Sequence, residues 1–307
     1  MKRIALIFPG QGAQKIGMGK ELYDQSPAAR AVFDQANAIL GEDLARVIFE
    51  GPEDKLMSTA YCQPAIFTVS MAALAAFRAS EKSSAVAVAY TAGLSLGEYG
   101  AMCAAGVLSF KDSLELIRKR GAYMEEAAKA HPGKMAAVIG FDKDKLVAIC
   151  AQAGCEVANF NAPDQIVITG AGAAVDEACR LITEAGGKKV IPLDVSGAFH
   201  SSLMRVAADK FAGELVCAPL QMTDTKVISN VTAKPQLSSE EVRSNLSRQI
   251  YSPVQWVDSV RFIATQGIMD IIEIGPGRVL KGLIRKIDTS INVQNIQSFT
   301  DIATLSF

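Results

Sequence analysis

The sequence predicts an α/β fold in which a small α+β unit interrupts a larger α/β domain. Three observations predict it. Short apolar runs (RIALIF at 3–8, SAVAVAYTA at 84–92, MDIIEIG at 269–275) alternate with amphipathic stretches long enough for helices. Between positions 133 and 195 the rhythm tightens to β-α-β-β-α-β, and the longer rhythm resumes afterwards. With 307 residues, half of them hydrophobic, the chain can bury a core large enough for both parts.

In chain order, RIALIF reads as a buried strand that runs directly into the glycine-rich loop PGQGAQ. SPAARAVFDQANAIL and TVSMAALAAFRAS have helical patterning. The most apolar segment, PAIFTVSMAALAAF at 64–77, is short for a membrane span and carries Thr and Ser, which suits a core helix. SAVAVAYTA is a buried parallel strand that meets the GLSLG turn, and EYGAMCAAG continues from that turn as a helix. SFKDSLELIRKRGAYMEEAAKA is a further helix, with Ser109 and Asp112 near its start. HPG at 131–133 breaks it.

The inserted unit then follows. KMAAVIGF, EVANF, QIVITG and KKVIPLDV are its strands, and DKDKLVAICAQAG and AAVDEACRLITEAG its helices, the order of a ferredoxin-like unit. After it, SSLMRVAADKFAGEL is helical, TKVISN a strand, and EVRSNLSRQI and VQWVDSVRFIATQG helices. MDIIEIG is a strand, and GRVLKGLIRKI reads as the final long helix. The predicted division is therefore 1–130 with 198–307 as a discontinuous large domain, and 131–197 as the insertion.

Composition narrows the function. Thirty-one basic residues against 32 acidic ones, a net charge of −1, argue against a general electrostatic grip on nucleic acid. Met1-Lys2-Arg3 precedes an apolar run of only about five residues before Pro9-Gly10, too short for a secretory leader. Six cysteines without a CxxC pair or zinc-like spacing read as reduced and mostly buried, as in a cytoplasmic enzyme. With two histidines there is no metal cluster. PGQG lacks both the dinucleotide fingerprint and the Gly-Lys-Ser/Thr ending of a phosphate loop.

The stretch TAGLSLGEYG at 91–100 places Ser95 in Gly-x-Ser-x-Gly between a strand and a helix. That is the setting of a nucleophile elbow, where Gly93 and Gly97 let the backbones pass closely and the turn lifts the hydroxyl out of the sheet. The same residues also fit a tight strand–helix junction with a satisfied hydroxyl. A serine nucleophile needs a base. His131, before Pro132 at the domain boundary, reads as a surface or hinge residue. His200, in GAFHSSLM where the insertion returns to the large domain, can face Ser95 across a cleft, or serve as a structural histidine.

Six separated blocks carry a resemblance. IALIFPGQGAQKIGMG, GLSLGEYGA, IRKRGAYM, GAFHSSLM, YSPVQW and IEIGPGRVLKGL occur in an order similar to that of the malonyl-CoA:acyl carrier protein transacylases of type II fatty acid synthesis, relatives of polyketide synthase acyltransferase domains. The resemblance spans essentially the whole chain. It implies an α/β-hydrolase-like large domain with an inserted ferredoxin-like small domain. It makes Ser95 the acylated nucleophile and His200 its general base. It assigns the backbone N–H groups of Gln11 and Leu96 to the oxyanion, and the backbone carbonyl of Gln255 to orienting His200 in place of a triad carboxylate. Neither Asp194 nor Glu98 is assigned as a third triad member.

By the same resemblance, Arg120 binds the malonyl carboxylate, for which a planar guanidinium is suited. Phe199 contributes to acyl selectivity. Leu94 stands where many members have histidine, which bears on fine recognition and hydrolytic leakage more than on reaction class. The implied donor is malonyl-CoA, and the acceptor is the phosphopantetheine thiol of acyl carrier protein. No cofactor is tightly bound, and no metal, nucleic acid or membrane is involved; a monomer is expected. The alternatives left open are a polyketide-pathway acyltransferase, a serine thioesterase or esterase, and a carrier-docking module.

Overall fold

The computed structural model describes all 307 residues, Met1–Phe307. Nine strands occur in chain order: β1 Lys2–Phe8, β2 Val86–Gly93, β3 Gly133–Ile139, β4 Glu156–Ala162, β5 Gln165–Ala171, β6 Lys189–Pro192, β7 Lys226–Val227, β8 Asp270–Ile274 and β9 Asn292–Ile296. They form two sheets. One is five-stranded, in the order β7-β2-β1-β8-β9, and all its pairings are parallel. The other is four-stranded and antiparallel, in the order β4-β5-β3-β6.

In the parallel sheet the central strand β1 is buried from Ile4 to Phe8. That explains its unbroken apolar run, since helices cover both faces of such a sheet. The helix Thr59–Arg78 packs inside this layer with nearly all of its length buried. It is long and apolar enough to cross a membrane, yet its apolar surface is spent on the core. β1 and β2 end level, Phe8 opposite Gly93. The loops that follow them, Pro9-Gly10-Gln11 and Leu94-Ser95-Leu96, therefore emerge side by side at the carboxyl edge of the sheet, where open α/β sheets place their sites.

The antiparallel sheet shows two-residue alternation. Ala136, Val138, Ile166 and Ile168 face the helices Lys143–Ala153 and Gly172–Glu184 in one small core. Met135, Ala137 and Val167 point the other way and join the main core. β4 is tied to the large sheet's side of the molecule by reciprocal backbone bonds: Phe160 N to Val254 O at 2.9 Å and Val254 N to Ala158 O at 2.8 Å. These clamp the two sheets on either side of a cleft.

Three elements differ from the sequence reading. TKVISN supplies only a two-residue strand, because Ser229 and Asn230 leave the ladder for a turn. SSLMRVAADKFAGEL opens with a 3₁₀ turn, Ser202–Met204, before the α-helix Arg205–Val216. The helix in GRVLKGLIRKI is nine residues, Val279–Ile287, and is not final; edge strand β9 and the helix Phe299–Thr304 follow it. In β9 only Val293 and Ile296 are buried, too sparse a pattern to announce a strand.

Candidate active site

Ser95 sits at the turn between β2 and the helix Gly97–Ala105 with φ of 53°, a left-handed conformation that costs a non-glycine residue of order 1–3 kcal/mol. The neighbouring glycines make the turn possible. A Cβ on Gly97 would lie 2.1 Å from the carbonyl oxygen of Phe8, and one on Gly93 would lie 2.0 Å from the Gly97 backbone. Asn230 fastens the turn from outside: its Oδ1 accepts from Ser95 N at 2.6 Å and its Nδ2 donates to Gly93 O at 2.6 Å. The backbone strain at Ser95 is thus held by hydrogen bonds and close packing.

His200, also at positive φ (60°), brings its Nε2 to 2.9 Å from Ser95 Oγ. Its Nδ1 lies 2.8 Å from the backbone oxygen of Gln249. A carbonyl accepts only, so Nδ1 carries the proton and Nε2 is the free base. This corrects the expectation for Gln255. The Gln255 carbonyl is taken by Ser259, from its N–H at 3.0 Å and its hydroxyl at 2.8 Å, as the first acceptor of the helix Trp256–Thr265. Gln249 ends the helix Ser239–Gln249, where carbonyls have no partner within the helix. Asp194 is exposed, and the other histidine, His131, is exposed at the end of the helix Phe110–Ala130.

Arg120, on that same helix, is fully buried. Its Nη2 donates to Ser95 Oγ at 3.1 Å and to Gln249 Oε1 at 3.0 Å, and its Nη1 donates to Gln63 Oε1 at 2.8 Å. Its Nε–H has no acceptor. A guanidinium has five N–H donors, so the site leaves it under-satisfied beside the serine. Burial, and then the Arg120 charge, push the His200 pKa down to about 4.

The cleft above these groups has a volume of about 170 Å³ and is lined by Gln11, Leu94, Leu96 and Phe199 as well as by Ser95, Arg120 and His200. Its far wall is the antiparallel sheet, through Met135, Asn159, Asn161 and Val167. The backbone N–H groups of Gln11 and Leu96 donate to no acceptor in the protein, and both residues border the cleft beside Ser95. Two residues missed in the sequence belong to the site. Gln249 touches His200, Arg120 and Ser95, and Gln63 holds the second arm of Arg120. Gln249 was findable in the last turn of a predicted helix, EVRSNLSRQI; Gln63 carried no signal. No group of three or more His, Cys, Asp or Glu side chains is placed to hold a metal.

Known proteins give the same arrangement a family. The acyl transferase domain family matches residues 5–305. The malonyl CoA-acyl carrier protein transacylase of Bacillus subtilis is 45% identical over 293 residues, covering 94% of this chain and 91% of that protein. Among solved structures, the acyl-carrier-protein-S-malonyltransferase of Bartonella henselae superposes with a TM-score of 0.94 at 38% identity, over 99% of this chain and 98% of that one. A malonyl-transacylase solved in complex with its type II PKS acyl-carrier protein superposes with a TM-score of 0.94 at 36% identity, again over 99% and 98%. With nearly full-length matches of this closeness, the chain belongs to the acyl transferase family, within its malonyl-CoA:acyl carrier protein transacylase branch.

Proposed function

We propose that this enzyme transfers the malonyl group of malonyl-CoA to the phosphopantetheine thiol of an acyl carrier protein, through a malonyl ester on Ser95, in fatty acid synthesis. The observation that carries the reading is one hydroxyl with two neighbours: Ser95 Oγ lies 2.9 Å from the free base of His200 and 3.1 Å from the guanidinium of Arg120. A base beside the serine fits acyl transfer in general. A buried cation beside the same atom fits an acyl group that ends in a carboxylate.

The steps follow from the geometry. His200 Nε2 takes the Ser95 proton as Oγ attacks the thioester carbonyl. The tetrahedral oxyanion faces the free N–H groups of Gln11 and Leu96, each of which is worth on the order of 3 kcal/mol of barrier. Collapse expels the coenzyme A thiolate, which takes the proton from His200. The carrier thiol then gives its proton to His200 and attacks the ester; collapse breaks the bond to Ser95 Oγ, which takes the proton back from His200, and malonyl leaves on the carrier. Once Ser95 Oγ is an ester oxygen, the Arg120 N–H that pointed at it is released. Together with Nε–H, which has no acceptor in the protein, it offers two donors to the malonyl carboxylate.

The remaining assignments are part of the same proposal. Phe199 narrows the acyl pocket, and Leu94 gives its wall an apolar surface where other members carry histidine. The parallel sheet with its elbow supports an α/β-hydrolase-like large domain of residues 1–130 and 198–307. The β4-β5-β3-β6 order supports a ferredoxin-like insertion of residues 131–197. Six free cysteines, three of them buried, fit the cytoplasm. A role in polyketide synthesis uses the same site and is favoured by the likeness to the type II PKS partner; the identity of the cognate carrier decides between the two. In the direct test, malonyl-CoA labels the intact protein and Ser95→Ala abolishes the label by mass spectrometry. An undiminished adduct on the alanine variant sinks the assignment.

A further inference from the structure

Glu98 is the one acidic side chain buried near the reacting groups, fully inaccessible in the first turn of the helix Gly97–Ala105. Its carboxylate makes no hydrogen bond to His200, Ser95 or Arg120, although the Glu98 backbone N–H donates to the Ser95 carbonyl at 3.0 Å. Its Oε2 accepts from Gln249 Nε2 at 2.6 Å and from Asn230 N at 3.1 Å, and its Oε1 accepts from Gln236 Nε2 at 3.0 Å. Burying a carboxylate is expensive unless it is well bonded. Burial pushes this one up to about 7 even with its three donors, so its retention calls for an explanation.

The explanation lies in Gln249. A side-chain amide has two N–H donors and one oxygen, and flipping it reverses what it offers. Gln249 Nε2 is held chiefly by Glu98 Oε2 at 2.6 Å and the Ser95 carbonyl at 3.0 Å, with Asn230 Oδ1 a longer third acceptor at 3.5 Å. With both donors so occupied, Oε1 has to face Arg120, which it meets at 3.0 Å. A flipped amide would turn N–H groups toward the guanidinium, donor against donor. We propose that Glu98 is a positioning residue for donor selectivity: its carboxylate locks the Gln249 amide so that Gln249 Oε1 aims Arg120 at the acyl group on Ser95. The inference rests on the malonyl-binding role given to Arg120 above. It adds that the aim of Arg120 is set from a carboxylate one residue removed.

The competing account is that Glu98 only anchors the turn containing Asn230 and Gln236. The two accounts differ in the ratio of kcat/KM for malonyl-CoA to that for acetyl-CoA. Turn anchoring affects both donors equally, since both need the same elbow, base and oxyanion donors. Assayed at about pH 8.5, where Glu98 is ionised even with its pKa raised to about 7, Glu98→Gln keeps the shape but replaces a charged acceptor with a neutral one and places an NH₂ among donors. A charge-assisted bond is roughly twice as strong as a neutral one, so the lock on Gln249 weakens and the malonyl:acetyl ratio should fall roughly tenfold. Combined with Arg120→Ala, the same change should move the ratio no further, because the group being aimed is gone.

The wild type, the two single variants and the double variant, each assayed with both donors, settle the matter. Equal losses for malonyl and acetyl in Glu98→Gln, or a further fall of the ratio in the double variant, overturns the proposal. If Arg120→Ala alone leaves the ratio at the wild-type value, the malonyl-binding role of Arg120 fails and this inference fails with it. If Arg120→Ala shifts the ratio and Glu98→Gln does not, only the role of Glu98 falls. Should Glu98→Gln not fold, Gln249→Leu removes the link from the other side and leaves the backbone carbonyl for His200. It should lower the same ratio, and an unchanged ratio overturns the proposal as well.

Discussion

Replacing Arg120 by alanine separates malonyl recognition from acyl chemistry. The guanidinium is fully buried, its Nε–H has no acceptor in the protein, and in the proposed acyl-enzyme it pairs with the malonyl carboxylate through two N–H groups. Hydrogen bonds to a charged group contribute about 1.5–3 kcal/mol each, so two are worth roughly 3–6 kcal/mol. At about 1.4 kcal/mol per factor of ten, kcat/KM for malonyl-CoA should fall by roughly 10²–10⁴. An acetyl group ends in a methyl and leaves those buried donors unpaired, a penalty that alanine removes. Acetyl-CoA should therefore be spared or improved. The truncation also deprives Gln63 Oε1 and Gln249 Oε1 of their donor, a loss common to both substrates, so the ratio of the two kcat/KM values is the clean readout. Lysine should rescue in part, since it restores the charge without the planar fork. Equal losses for both donors would show that Arg120 supports the fold or the shared coenzyme A moiety, and the carboxylate assignment would have to go.

Two further predictions concern the base and the elbow. With the His200 pKa held to about 4 in the free enzyme, its active neutral form persists to low pH, so kcat/KM for acylation should fall only as pH approaches 4, well below the ordinary histidine value. Arg120→Ala removes one of the two causes of that depression and should move the acid limb upward; an acid limb near 6.5 in the wild type would contradict the reasoning. The same shift has a stability consequence: between 6.5 and about 4 the unfolded chain binds a proton that native His200 refuses, so denaturation midpoints should drop across that window. At the elbow, Gly97→Ala sets a methyl 2.1 Å from the Phe8 carbonyl and should cost about 3 kcal/mol or more, whereas a methyl on exposed Gly213 meets nothing within 4 Å and should stabilise its helix by up to ~1 kcal/mol. Thermal melts of the two variants shifting in the same direction would refute this packing argument.

Much of this was legible in the sequence, and the failures have identifiable causes. RIALIF announces itself because both faces of a central parallel strand are buried, and SAVAVAYTA does so by its Ala- and Val-rich run, although Ala87 to Tyr90 are only half-buried. GLSLG does so because a backbone crossing of that closeness tolerates nothing larger than glycine. His200 stood out through scarcity. The orienting carbonyl was placed six residues too late, on Gln255 in place of Gln249, and local physics distinguishes them. EVRSNLSRQI ends a helix at Gln249, where carbonyls are unclaimed, while VQWVDSV begins one at Gln255, where the carbonyl is the first to be claimed. The Glu98 network was out of reach. Its members lie at 95, 98, 230, 236 and 249, and only the folded turn at 229–236 brings them together.

The position of Gln249 also bears on why the site can work without a triad carboxylate. A buried carboxylate would stabilise the imidazolium that forms on His200, but it would also stand near Arg120 and compete for the guanidinium meant for substrate. A helix C-terminus offers a milder alternative. The unpaired carbonyl at Gln249 fixes the tautomer, and the partial negative charge of the helix end favours a cation beside it. What still opposes proton uptake by His200 is burial and the uncompensated Arg120. On the role proposed for Arg120, a malonyl carboxylate there would neutralise the second of these, and an acetyl group would not. On that reading selectivity and basicity draw on the same charge, since the guanidinium proposed to recognise the donor also lowers the His200 pKa.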